Sequence, residues 1–278
     1  MRSIKTIVVF LFVIIALAFC VSFCYDRLMV DSVPPEIICD GTRLEVSVNA
    51  TNEELCRGLR ATDNVDGDIT DRIVVRKVAR LSGSNSAIVH YAVFDSSPKS
   101  NFCTLSREVY YTDYCQPRFE LSQPMIFNVN SLVTLVDRMT ATDVIDGDIS
   151  NRIRVSAQNI STSVEGDYPL FVHVTNSTGD TSSMNLTVQI RNYTTRHPYI
   201  ELSEYLVYEE VGSEVDLEKY RDYIVNATET VDGKPLLPSD ISITGQVDTS
   251  KIGTYNVKFS YMNDESLSYN VILTVVVQ

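Results

Sequence analysis

The chain has no tryptophan and only three histidines in 278 residues, and 36 acidic residues outnumber its 23 lysines and arginines. The shortage of positive charge leaves a formal net charge of −13. Such a surface repels phosphate backbones and anionic lipid heads and argues against a nucleic-acid partner. The same charge suits divalent cations or plain solubility. His90, His173 and His197 are scattered, and no G-x-S-x-G segment stands ready to pair one of them with a nucleophile. G-x-x-x-x-G-K-[ST], C-x-x-C and H-E-x-x-H are missing too, which removes phosphate-loop, dithiol and zinc-protease chemistry. With no constellation of reacting groups in view, an enzyme is not expected.

Long apolar runs are equally scarce. There is one, Ile7 to Cys24, preceded by Arg2 and Lys5. Its eighteen residues at 1.5 Å rise reach about 27 Å, close to the hydrocarbon thickness of a bilayer. A cleaved signal peptide needs small residues before the cut, but Phe19, Cys20 and Phe23 crowd the site after Ala16 and Ala18. A lipoprotein signal meets the bulky Phe19 before Cys20. An uncleaved signal-anchor is the reading these residues favour. The positive flank then puts residues 1–6 in the cytoplasm, residues 7–25 across the cell membrane and the rest outside, as a single-pass protein with an extracellular C-terminal ectodomain.

What the chain does have is a repeat. Ala61-Thr62-Asp63-Asn64-Val65-Asp66-Gly67-Asp68-Ile69-Thr70 returns eighty residues later as Ala141-Thr142-Asp143-Val144-Ile145-Asp146-Gly147-Asp148-Ile149-Ser150. A worn copy runs from Ala227 to Leu236 through Val231-Asp232-Gly233-Lys234. Such a period marks tandem units. Prolines 35, 117 and 198 open each unit, where a residue without a backbone donor suits an edge strand. Residues 26–33 then form a linker, and units follow at 34–114, 115–194 and 195–278.

Within the units, Arg43 to Val48 alternates Leu44, Val46 and Val48 against polar neighbours, a strand period. Ile88–Phe94, Tyr168–Val174 and Thr254–Tyr261 read as strands, as do the closing segments Leu105–Tyr111, Met184–Ile190 and Tyr269–Val277. Glu214 to Tyr223 reads as either a short helix or an irregular loop. The pattern predicts an all-β protein of three tandem β-sandwich domains after one N-terminal transmembrane helix.

The Asp-x-x-Asp-Gly-Asp-Ile segments, with Val247-Asp248-Thr249-Ser250-Lys251-Ile252-Gly253-Thr254-Tyr255-Asn256-Val257, resemble the bacterial immunoglobulin-like domain of the pesticidal-crystal-protein type. That family is itself similar to hyalin-type repeats. The resemblance covers residues 33–278. Repeat one departs from it, with Ser82-Gly83-Ser84-Asn85-Ser86 where the family has Gly-x-Tyr. It implies a seven-stranded sandwich, in tandem on secreted or wall-attached bacterial proteins, serving as spacer, stalk or adhesion module. No shared catalytic activity or cofactor comes with it. The expected function is a membrane-anchored stalk that meets a surface protein or a polysaccharide, with calcium-dependent adhesion as an alternative. Three sandwiches in line would reach about 100 Å from the bilayer.

Candidate sites follow from the motif. Asp63, Asp66 and Asp68, and likewise Asp143, Asp146 and Asp148, cluster carboxylates of the kind calcium takes. The spacing is not that of an EF-hand. The competing reading is a turn in which Gly adopts positive φ and Asp side chains bond nearby amides. The third copy keeps Asp232-Gly233 but carries Glu229 and Lys234, which favours the turn. A glycosidase-like use of the carboxylates needs a cleft that a slim sandwich does not offer.

Cys39, Cys56, Cys103 and Cys115 all fall in or beside repeat one and suggest two disulfides outside the cell. With the early strand parallel to the last, the pairs are Cys39–Cys103 and Cys56–Cys115. The sequential pairing Cys39–Cys56 with Cys103–Cys115 and four free thiols are the alternatives. Six N-x-[ST] sequons, at Asn49, Asn159, Asn176, Asn185, Asn192 and Asn226, read as compositional. Tyr205, Tyr208, Tyr220 and Tyr223 are candidates for a distal contact surface.

Overall fold

The computed structural model describes every residue except Met1, Met29, Val30, Leu81, Ser82, Gln158, Asn159 and Asp232. The Asn159 sequon, Ser82 of the serine-rich segment and Asp232 of the third motif therefore lie outside the described residues. The chain divides into two compact units, Met1–Tyr114 and Cys115–Gln278.

The first unit opens with helix α1 (Arg2–Leu28), whose apolar stretch Ile7–Tyr25 is long enough to cross a membrane. Its large side chains from Ile7 to Tyr25 are exposed, so nothing in the protein covers them. Seven short strands follow. β1 (Glu36–Cys39), β3 (Leu59–Asp63) and β4 (Gly67–Asp68) form one sheet in the order β1-β3-β4. β2 (Leu44–Val46), β5 (Val74–Arg80), β6 (Ser86–Phe94) and β7 (Phe102–Tyr111) form the facing sheet, ordered β2-β7-β6-β5. β2 runs parallel to β7, with Leu44 opposite Val109 and Val46 opposite Tyr111. Leu44, Val46 and Val48 are buried, as their alternation predicts. A one-turn helix α2 (Asn52–Leu55) follows, closed by a capping box between Thr51 and Glu54.

The expected disulfides are not there: Cys39, Cys56, Cys103 and Cys115 are all free thiols. The reason lies between Cys39 and Leu44. The early strand does run parallel to β7, but only from Leu44, because the chain changes sheet just before it, turning through Gly41 at φ +75°. Cys39 therefore stays in the β1 sheet, opposite Leu59, while Cys103 sits opposite Val93 in the other sheet. Cys56 caps α2, and Cys115 lies past the end of β7.

The second unit repeats this plan twice. β8 (Arg118–Leu121), β10 (Met139–Asp143) and β11 (Gly147–Asp148) face β9 (Ile126–Asn128), β12 (Arg154–Ala157), β13 (Gly166–Thr175) and β14 (Thr181–Arg191), ordered β12-β13-β14-β9. β15 (Tyr199–Leu202) and β17 (Ile224–Thr228) face β16 (Leu206–Glu209), β18 (Ser242–Gly245), β19 (Gly253–Met262) and β20 (Ser268–Val277), ordered β16-β20-β19-β18. β9 is parallel to β14 and β16 to β20, so each sandwich pairs an early strand with its last one. The fold is all-β beyond α1, in three tandem sandwiches. The ambiguous stretch before β17 is a 3-10 helix at Leu217–Tyr223.

An inward arginine ties loop carbonyls in each sandwich. Arg107, 8% exposed, donates to the carbonyls of Arg57 and Thr42. Arg138 donates to Pro124 and Ile126 and stacks over Phe127, and Arg221 donates to Pro238 and Ile241. Charge-assisted bonds to carbonyls make burial of a guanidinium tolerable.

An in-line arrangement does not hold inside Cys115–Gln278. Buried residues from Phe119 to Val275 form one cluster across both sandwiches. β14 bonds to β19 and β20 at several points: Asn185 N–H donates to Thr254 Oγ1, Asn256 Nδ2 to Thr187 Oγ1 (2.9 Å) and Gln189 Nε2 to Asn270 Oδ1 (2.6 Å). These two sandwiches lie side by side along those strands.

Candidate metal centre

The repeated motif begins as strand and ends as hairpin. Ala61 and Ala141 are fully buried in β3 and β10, and the chain then turns through Gly67 (φ +74°) and Gly147 (φ +69°) into β4 and β11. Only glycine holds that left-handed conformation without strain. The next residue, Ile69 or Ile149, drops into the core and donates its N–H back to Ala61 or Ala141.

Most of the candidate carboxylates are spent on this hairpin. Asp66 accepts from Arg72 Nη1 (2.8 Å), Ser96 N (2.7 Å) and Ser96 Oγ. Asp146 accepts from Arg152 Nη1 (2.6 Å), Ser177 N (2.6 Å) and Ser177 Oγ (2.7 Å). Asp68 takes the amide and hydroxyl of Thr70, and Asp148 those of Ser150. Asp63 and Asp143 each use Oδ1 to accept two amides of the turn. Among the described residues neither trio forms a group of three converging carboxylate oxygens. Asp66, Asp68, Asp146 and Asp148 serve the turn.

Their pKa values follow. Hydrogen bonds from the Ser96 hydroxyl and amide hold Asp66 below the usual carboxylate range, and those from Thr70 and Ser150 do the same for Asp68 and Asp148. At Asp146 burial pushes upward but is outweighed by Ser177 and Arg152. A depressed folded pKa gives stability that is present above the unfolded value, about 3.9, and is lost as pH falls through the folded one. Thermal stability should therefore fall steeply below about pH 4, with a shallower acid limb in Asp148→Asn. Superimposable acid limbs would remove this account.

The third copy differs. Leu236, not Pro235, donates its N–H to Ala227 as Ile69 does to Ala61, and Thr228 bridges Pro235 where Thr62 pairs with Asp68. The third turn is thus one residue longer. Gly233 has no positive φ, and a side chain there would strike Thr230. The common turn expected in all three copies holds only for two.

One group of carboxylates is assembled for something else. Asp31, Asp63 and Asp95 each offer an oxygen, and the three lie within 4.8 Å of one another. They come from the segment before β1, the end of β3 and the turn after β6. Asp95, 8% exposed, accepts from Ser97 N, Ser97 Oγ and Asn101 Nδ2 (2.7 Å). Asp31 Oδ1 accepts from Val33 N, and its carbonyl from Asn101 Nδ2. Asp63 Oδ2 and Asp31 Oδ2 are buried and meet no donor among the described residues. Sequence reasoning put Asp31 in a linker and Asp95 in a turn. No local pattern joins three residues that only the fold brings together.

The proposed tyrosine surface is mostly core. Tyr220 is fully buried and Tyr205 is 6% exposed, while Tyr208 Oη binds the Phe119 backbone on both sides, accepting from N–H at 2.7 Å and donating to C=O. Burial raises the pKa of all four.

Residues 212–277 match the family described as bacterial surface protein, Ig-like domain. The pesticidal crystal protein Cry22Aa of Bacillus thuringiensis is 28% identical over 233 residues, which are 79% of this chain and 30% of that protein. The chain thus spans about a third of its curated relative. Among solved structures, the M60 catalytic domain with CBM51 domains of Clostridium perfringens ZmpB has TM-score 0.24 and 13% identity, covering 89% of this chain and 31% of that one. Drosophila N-cadherin EC1-4 has TM-score 0.24 and 12% identity, covering 89% and 68%. TM-scores this low leave the fold to the strand pairing itself. The family match and the relative support an immunoglobulin-like domain of the bacterial surface type.

Proposed function

We propose that the chain is a bacterial surface protein, anchored through Ile7–Tyr25, whose sandwiches serve outside the cell as a non-catalytic interaction module. The observation that carries it is an uncovered apolar helix followed by three copies of one sandwich. In those copies Asp68 and Asp148 accept from their own hairpin, and Asp66 and Asp146 also accept from Ser96 and Ser177 in the turn between the last two strands. Topology is the test. With a C-terminal tag on the full chain, protease added to intact cells should remove the tag while the N-terminal fragment stays in the membrane pellet. A protected tag, or a chain released to the medium with its apolar run cut off, would sink the anchored reading.

A polysaccharide partner is the second reading. It is favoured by an open groove of about 650 Å3 in Cys115–Gln278, lined in part by Arg118, Glu120, Glu204, Tyr208 and Tyr223. Charged groups beside aromatic rings suit sugar hydroxyls and faces. Binding of the detergent-solubilised chain on a glycan array, lost in Glu120→Gln, is the expected result. An array with no binding would discard it.

A further inference from the structure

We infer that Asp31, Asp63 and Asp95 bind one calcium ion, which fastens the segment after the apolar helix to the first sandwich. Three carboxylate oxygens within 4.8 Å repel one another, and no lysine or arginine among the described residues makes an ion pair with any of the three. Arg72, in the same hairpin, is committed to Asp66.

The second observation is the pair of orphaned oxygens. Donors satisfy Oδ1 of Asp31 and of Asp63, but Oδ2 of each is buried without one. A buried anionic oxygen with no donor is unfavourable unless something positive meets it.

Repeat two carries an amide where repeat one has the Asp95 carboxylate. The place of Asp95 belongs there to Asn176: each donates its N–H across the same turn, to Asn101 O and Asp180 O. Asn176 Nδ2 donates to Asp143 Oδ2 at 3.2 Å, so an amide fills the position that repeat one leaves open. Asn263 does similar work in repeat three, where its Nδ2 donates to the carbonyls of Glu229 and Arg196. The carboxylate at Asp95 is the departure.

The donor set names the ion. All-oxygen ligands disfavour zinc and copper, which prefer nitrogen and sulfur. Calcium accepts six to eight oxygens in irregular geometry, whereas magnesium demands a near-octahedral shell and keeps its waters. Three carboxylates joined by water suit the weak range of extracellular modules, with Kd about 10⁻⁴ to 10⁻³ M.

The test uses the full chain in detergent micelles, stripped of metal and dialysed against radioactive calcium. Wild type should bind one ion in that range and its Tm should rise by several degrees. Asp95→Asn gives repeat one the arrangement of repeat two, so it should fold without metal, bind at least tenfold more weakly and lose the rise. Asp71→Asn, an exposed carboxylate of the same hairpin, should bind like wild type. Absence of binding in wild type, full affinity in Asp95→Asn, or displacement by equimolar magnesium would overturn the assignment. If Asp95→Asn does not fold, Asp31→Asn, which lies outside the strands, is held to the same criterion.

Discussion

Replacing Ile149 by alanine should destabilise the chain by about 3 kcal/mol, within the 2–5 kcal/mol typical of a buried Ile→Ala change. Ile149 is 1% exposed, and its N–H holds the hairpin to Ala141 at 2.9 Å. The side chain is the anchor that lets a turn of only two paired residues per arm exist. Its loss removes the contacts and leaves a cavity that the glycine turn cannot close. Ile69→Ala should behave alike, since Ile69 is also fully buried. Leu236→Ala should cost clearly less, because Leu236 makes the same backbone bond from a half-buried position. Urea unfolding followed by circular dichroism gives the differences. Equal effects at Ile149 and Leu236 would contradict the one-residue longer third turn.

Tyr220→Ala should cost about 3–5 kcal/mol, the range for emptying an aromatic site in a core. Its ring is fully buried near Tyr223, and its hydroxyl donates to Glu209 Oε1, which also pairs with Lys219 Nζ at 2.6 Å. Tyr220→Phe keeps the ring and leaves Glu209 with Lys219, so a loss of about 1 kcal/mol is expected. A tyrosine presented to a ligand would give the opposite result, with stability unchanged in both variants. The same urea titration decides.

The strands were legible because each buries one face, and period-two alternation records that directly. Leu44, Val46 and Val48, or Val257 and Phe259, needed no partner to be recognised. The Asp-Gly-Asp turn was legible for a similar reason, since its glycine and its Asx contacts are local. What failed was non-local. The early strand of repeat one does run parallel to β7, but Cys39, expected at its flank, belongs to β1 in the other sheet, and the disulfides expected from that flank do not form. The third motif looked aligned with the others, and one extra residue moved its anchor from Pro235 to Leu236. Asp31 and Asp95 carried no signal at all, because their meaning depends on Asp63 lying between them in space. The tyrosines misled for a compositional reason. With no tryptophan in the chain, tyrosine supplies much of the aromatic core, and clustering in sequence reflected packing.

The parallel pairing of β2 with β7, β9 with β14 and β16 with β20 bears on mechanics. A chain held at its amino end and pulled at its far end draws two parallel neighbours in opposite directions along their own axes. The hydrogen bonds between them are loaded together and must fail together, whereas a hairpin pulled open at its mouth loses them singly. Resistance to force is set by the rate of unfolding and not by equilibrium stability. A patch of three or four residues in each sandwich is therefore where tension on this protein would be borne.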